Sequence, residues 1–184
     1  MKIRSFFTTS VLAALVAGAS LAQDAALPDA APTLRTTLYV ASGSARADGP
    51  FENDDTPFAI GIMAQAPDSR LIFGADLGRE GTFLDSTWRQ SEAIKQGTSV
   101  NLLVGGNLLD AGPWKADAAA LLGVRTASAD CADSYLGYQC YADTPPSTEY
   151  EANFGALVTV SYSRMALGIR ATGESTQIVA GLRF

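Results

Sequence analysis

From about residue 34 onward, apolar and polar residues alternate with a period of two, and clusters of turn-forming residues break the alternation. The pattern predicts eight strands, at about 34–44, 57–65, 70–78, 98–109, 114–126, 149–162, 164–172 and 176–184. Their connections alternate in length. Ala66-Pro67-Asp68-Ser69, Asp110-Ala111-Gly112-Pro113 and Tyr162-Ser163-Arg164 are tight, and the first two have the Pro/Asp/Gly chemistry of turns. Residues 45–56, 79–97 and 127–148 make longer loops, and Gly173-Glu174-Ser175 a short last one. Long loops at one end and short turns at the other are the plan of a transmembrane barrel. The expected fold is therefore all-β: an eight-stranded antiparallel up-and-down barrel spanning residues 34–184.

Eight strands also build soluble barrels, so the placement of charge decides between them. One face of strand five carries Trp114, Ala116, Ala118, Ala120, Leu122 and Val124; the other carries Lys115, Asp117, Leu121 and Arg125. Strand six sets Tyr150, Phe154, Val158, Val160 and Tyr162 against Glu151, Asn153, Leu157 and Thr159. Strands two, three, four and seven repeat this division, with Leu108 on the apolar face of strand four. Charges collect on the second face, as Asp76, Lys115, Asp117, Arg125, Glu151, Arg170 and Arg183. A charge at mid-bilayer on the lipid face would cost roughly 2–4 kcal/mol. The apolar faces are thus expected to meet lipid and the charged faces a narrow lumen. A soluble barrel with inverted faces stays open on alternation alone, though it would crowd many large side chains into its interior.

Aromatic residues sharpen the picture. Trp114, Tyr162 and Phe184 fall on the apolar face at the short-turn end, and Phe58 and Tyr150 near the opposite end. That is the layout of two interfacial girdles.

The N-terminus reads as an export signal. Lys2 and Arg4 precede an apolar stretch from Phe6 to Gly18, and Ser20-Leu21-Ala22 offers the small residues a signal peptidase reads. Cleavage after residue 22 moves the formal charge from −6 to −8, since two cations leave and no carboxylate does. Residues 23–33, rich in Ala, Pro and Asp, are expected to be a flexible periplasmic lead-in. An acidic chain lacks the electrostatic footprint of a nucleic-acid binder. The chain has no histidine, which removes imidazole catalysis and His-ligated metal, and no cofactor or metal motif is present. An enzyme is not expected. Cys131 and Cys140 are expected to form a disulfide within the third long loop once the chain is exported.

The last strand, TQIVAGLRF, ends on Phe184 with Leu182, Ala180 and Ile178 at alternate positions behind it. In this the sequence resembles the small OmpA-like and opacity-type outer-membrane barrels, over about residues 34–184. The resemblance implies that this end is read by the barrel-assembly machinery and that the protein sits among outer-membrane lipid and lipopolysaccharide. Because the chain stops at the barrel, no C-terminal peptidoglycan-binding domain is expected.

Inside the barrel, Arg125 and Glu151 are a plausible pair on adjacent strands, and Asp76, Asp117 and Arg170 could join Lys115 in a deeper network. Leu103, Leu121, Leu157 and Val179 also point inward and argue against a wide pore. The leading expectation is a structural or surface-interaction barrel with a mostly closed polar lumen, its long loops open to an extracellular ligand. A narrow porin passing small solutes or ions, and a soluble periplasmic ligand-binding barrel, are the alternatives.

Overall fold

The computed structural model describes residues 34–47, 52–85, 94–128 and 147–184. The strands are β1 (Arg35–Ala45), β2 (Phe58–Gln65), β3 (Leu71–Leu84), β4 (Ile94–Ala111), β5 (Trp114–Ser128), β6 (Thr148–Tyr162), β7 (Met165–Thr172) and β8 (Ser175–Arg183). Each pairs antiparallel with its sequence neighbour, and β1 pairs with β8 to close the barrel. The seam reaches past the strand ends, where the backbones of Thr36 and Phe184 exchange hydrogen bonds of 3.2 and 2.8 Å. Closure leaves no free edge along the seam, the condition for a β-structure to cross hydrocarbon.

Alternation places the apolar set outside. Leu38, Val40, Ile60, Phe73, Leu77, Val100, Leu102, Leu122, Phe154, Val158, Leu167, Ile169 and Ile178 are all exposed on the outer wall. A soluble barrel would bury this set, so the inverted-face alternative fails and the barrel is a transmembrane one. Inward positions carry polar residues, glycines and alanines together with one band of larger apolar side chains, which suffices to fill the little volume that eight strands enclose.

The expected long second loop is mostly strand. β3 runs on to Leu84 and β4 begins at Ile94, so residues 79–84 and 94–97 belong to a hairpin arm. Phe83 and Ile94 thus lie in paired strands rather than in a loop, Phe83 opposite Lys95 and Ile94 opposite Leu84. A bulge between Arg79 and Thr82, with Gly81 at φ 72°, breaks the period-two pattern and disguises the continuation. Strand edges elsewhere also extend outward: β1 reaches Ala45, β5 Ser128, and β6 starts at Thr148. A second bulge, between Asn107 and Leu109, leaves both Leu108 and Leu109 exposed near the short-turn end.

The tight turns lie where expected. Asp68, Gly112 and Ser163 adopt positive φ of 53°, 59° and 55° in them. The export signal, the 23–33 lead-in, Trp88 and the Cys131–Cys140 pair lie outside the described residues.

Glycine sets one contact of consequence. Tyr39 points into the lumen and is flanked in register by Gly61 on β2 and Gly181 on β8. A Cβ on Gly61 would stand 2.4 Å from the Tyr39 ring. Gly61→Ala is therefore expected to destabilise the barrel by about 1–3 kcal/mol, as overpacking of a filled interior does. Urea unfolding of the barrel in lipid vesicles measures it, and Tyr39→Ala in the same chain should relieve the clash.

Candidate functional site in the barrel lumen

Inward side chains change character along each strand. From the long-loop end, β4 presents Ser99 and Asn101, then Leu103, then Asn107. β6 presents Asn153, then Leu157, then Thr159 and Ser161, and β8 presents Ser175 and Gln177, then Val179, then Arg183. Two polar layers thus sandwich an apolar one. The apolar layer is a contiguous cluster that includes Tyr39, Met63, Ile72, Leu103, Leu121, Leu157 and Val179.

The outer polar layer is built on Arg170, which has 0% exposure. It reaches across the lumen from β7 to β3, four strands away in either direction. Its Nε donates to Asp76 Oδ2 at 2.8 Å, and its Nη1 and Nη2 donate to Glu80 Oε2 and Oε1 at 2.9 Å each. Neutral donors complete both carboxylates. The Tyr39 hydroxyl and Asn101 Nδ2 donate to Asp76 at 2.9 and 2.7 Å. Ser99, Asn153, Thr172 and Ser175 donate to Glu80 at 2.8, 3.0, 2.7 and 2.6 Å. Two buried carboxylates against one guanidinium leave an excess negative charge, and these neutral donors stand in for the water it has lost.

The inner polar layer is separate. Arg183 Nη1 donates to Asp117 Oδ2 at 2.8 Å and to Ser161 Oγ at 3.1 Å, and its Nη2 donates to Gln65 at 3.0 Å. Asn107 supplies Asp117 with a further donor at 2.7 Å.

The expected single network of Asp76, Asp117, Arg170 and Lys115 is therefore corrected. Asp117 lies below the apolar layer, out of reach of Asp76 and Arg170, and its cation is Arg183. Lys115 turns instead to Asp110 at the short-turn rim, where Arg35 also approaches at 2.9 Å. Arg125 and Glu151 do pair, at 2.5 Å, and Arg125 also meets Glu174 at 3.2 Å. Glu151 is no lumen residue, however: its side chain is 53% exposed, at the outer rim. Two central residues escaped sequence reasoning. Glu80 sits beside Gly81 in a stretch that reads as loop, and Tyr39 belongs to β1, whose single charge, Arg35, lies at the very start of the strand. An inward parity count from Asp76 would have reached Glu80, since both are even-numbered on β3.

Of the aromatic residues, Trp114 and Tyr162 are register partners with ring centroids 4.8 Å apart. Phe184 is exposed at the same end, and Phe58 and Tyr150 are exposed toward the long-loop end. Ile178, Ala180 and Leu182 share the outward face of β8 with Phe184.

No protein-family model and no curated protein sequence matches the chain. Among solved structures, the crystal structure of Neisserial surface protein A is similar over 82% of this chain and 95% of that one, with 17% identity and a TM-score of 0.51. The attachment invasion locus protein Ail of Yersinia pestis, crystallised with the heparin analogue sucrose octasulfate, is similar over 82% of this chain and 97% of its own, with 12% identity and a TM-score of 0.47. At these identities the likeness speaks of architecture, and the first of the two carries it. With its closed ring of eight strands, apolar outside and polar within, the chain has the fold of the small OmpA-like and opacity-type outer-membrane barrels.

Proposed function

We propose that the protein is a bacterial outer-membrane barrel with a closed lumen, serving a structural or surface-interaction role rather than transport or catalysis. The observation that carries this reading is the apolar layer. Leu103, Leu121, Leu157 and Val179 are each at most 1% exposed and lie between two polar layers, so water has no continuous polar path. Ion passage would require stripping hydration at that layer, which nothing there replaces. The narrow-porin reading has the charged layers in its favour but lacks a path connecting them.

In this reading residues 1–22 are a cleaved signal peptide and 23–33 a periplasmic lead-in. The barrel-assembly machinery reads the Ile178, Ala180, Leu182 and Phe184 end, and Phe58, Trp114, Tyr150, Tyr162 and Phe184 anchor the two interfaces. A Cys131–Cys140 disulfide staples the loop that carries Tyr135 and Tyr138. Interaction with an extracellular ligand falls to the long connections around residues 46–57, 85–93 and 129–147.

Planar-bilayer recording tests the closed lumen. The purified barrel should show no unitary conductance in molar salt. Stable steps that vanish on substituting Arg170 or Asp76 would establish the porin reading in its place.

A further inference from the structure

Among the described residues the outer wall carries one charge. Among the described strand residues, every ionisable side chain on an outward-facing position is uncharged at neutral pH except Arg79 on β3. Its position is not arbitrary. One outward row, in register across four strands, is Val40, Ile60, Leu77 and Val100, all apolar and exposed. The next row toward the long-loop end is Ser42, Phe58, Arg79 and Thr98. Arg79 therefore stands where the lipid-facing apolar band gives way to polar residues. Among the described residues it has no ion-pair partner, although the chain is acidic and six other arginines and lysines of the barrel do pair with carboxylates.

We infer that Arg79 is a binding site for the phosphate of a lipid headgroup in the leaflet at the long-loop end. A guanidinium presents a planar fork of donors that matches phosphate oxygens bidentately. Near the interface an arginine on the lipid face costs little, about 0–1 kcal/mol by position alone, so a small gain from phosphate keeps it there. Phe58 stands directly opposite on β2 and Thr98 on β4, giving the fork an apolar wall on one side and a hydroxyl on the other. Below it the outward row of Ile60, Leu77 and Val100 offers a track for the acyl chains of the same lipid. Ala75, one row further in between Ile62 and Leu102, leaves that track shallow rather than ridged. A free phosphate would use the fork but not the track, which is why the lipid is the ligand assigned.

This inference rests on the proposed membrane orientation but not on the closed lumen, so the conductance test and the following one fail independently. The full-length mature barrel, folded in neutral detergent, is examined by native mass spectrometry. The probes are lipopolysaccharide, the same lipid with its phosphates removed, and inorganic phosphate. Folded wild type should retain the phosphorylated lipid about tenfold better than the dephosphorylated one, the size of one charge-assisted fork. Arg79→Gln should lose that preference, Arg79→Lys should keep part of it, and Arg164→Gln, at the exposed turn of the opposite end, should leave it unchanged. Millimolar inorganic phosphate should not displace the lipid. Equal retention by wild type and Arg79→Gln, with both showing the compact gel mobility of a folded barrel, overturns the site. Displacement by inorganic phosphate overturns its assignment to a lipid.

Discussion

Replacing Arg170 by leucine is expected to destabilise the barrel by about 3–5 kcal/mol, the cost of leaving buried charge uncompensated. The geometry concentrates the effect. Among the described residues Arg170 is the one cation that reaches Asp76 and Glu80, and both carboxylates are buried with it. Leucine fills part of the space but leaves two carboxylates in a site whose other donors are neutral. The midpoint of urea unfolding in phosphatidylcholine vesicles, followed by gel mobility, measures the loss. A second variant separates charge from shape. Arg170→Leu combined with Asp76→Leu and Glu80→Leu removes the whole ionic set and should recover only part of the stability: the uncompensated charge is gone, but Tyr39, Asn101, Ser99, Asn153, Thr172 and Ser175 lose their buried acceptors. A single Arg170→Leu chain as stable as wild type would mean that water enters the outer layer and screens the carboxylates.

Leu121→Ala is expected to cost about 2–5 kcal/mol, because truncation in a filled interior adds a cavity to the lost transfer free energy. Leu121 is fully buried and lies between Leu103 on β4 and Gly155 on β6. Its neighbour Leu122 faces outward on the same strand, where lipid chains fill any space left behind. Leu122→Ala should therefore lose only the transfer part, about 1.5–3 kcal/mol for a whole leucine side chain and less for its truncation. The comparison reads the cavity alone, with strand, depth and chemistry held nearly constant. Equal losses at the two positions would mean that the apolar layer is not packed, and would also undermine the closed lumen.

These two sites show why the lumen was only half legible in the sequence. Asp76, Asp117, Arg125 and Arg170 fall on the inward face by parity, and so do Leu103, Leu121, Leu157 and Val179. Parity reports a direction, however, and not a height or a partner. Asp117 and Asp76 look equivalent on a face-by-face reading, yet they sit on opposite sides of the apolar layer. What separates them is the stagger of strands around the ring, and stagger depends on the pairing register of every hairpin. Glu80 was lost for a different reason. The bulge at Gly81 interrupts the alternation that makes a strand visible, so the stretch carrying this fully buried carboxylate reads as loop. Lys115 and Glu151 were placed in the lumen by the same parity that placed Arg170. Being near strand ends, they turn to the rims, where water lowers the cost of their charge.

What is local could be read from the order of residues alone: eight strands, their tight turns, and which face of each is apolar. Period-two alternation expresses these directly, because every outward position must be compatible with lipid. Which inward residues meet emerges with the closed ring. Arg170 finds Asp76 and Glu80 across 94 and 90 residues of chain, and Arg183 finds Asp117 across 66. Such contacts follow from closing the ring and setting its stagger, and no single strand contains that information.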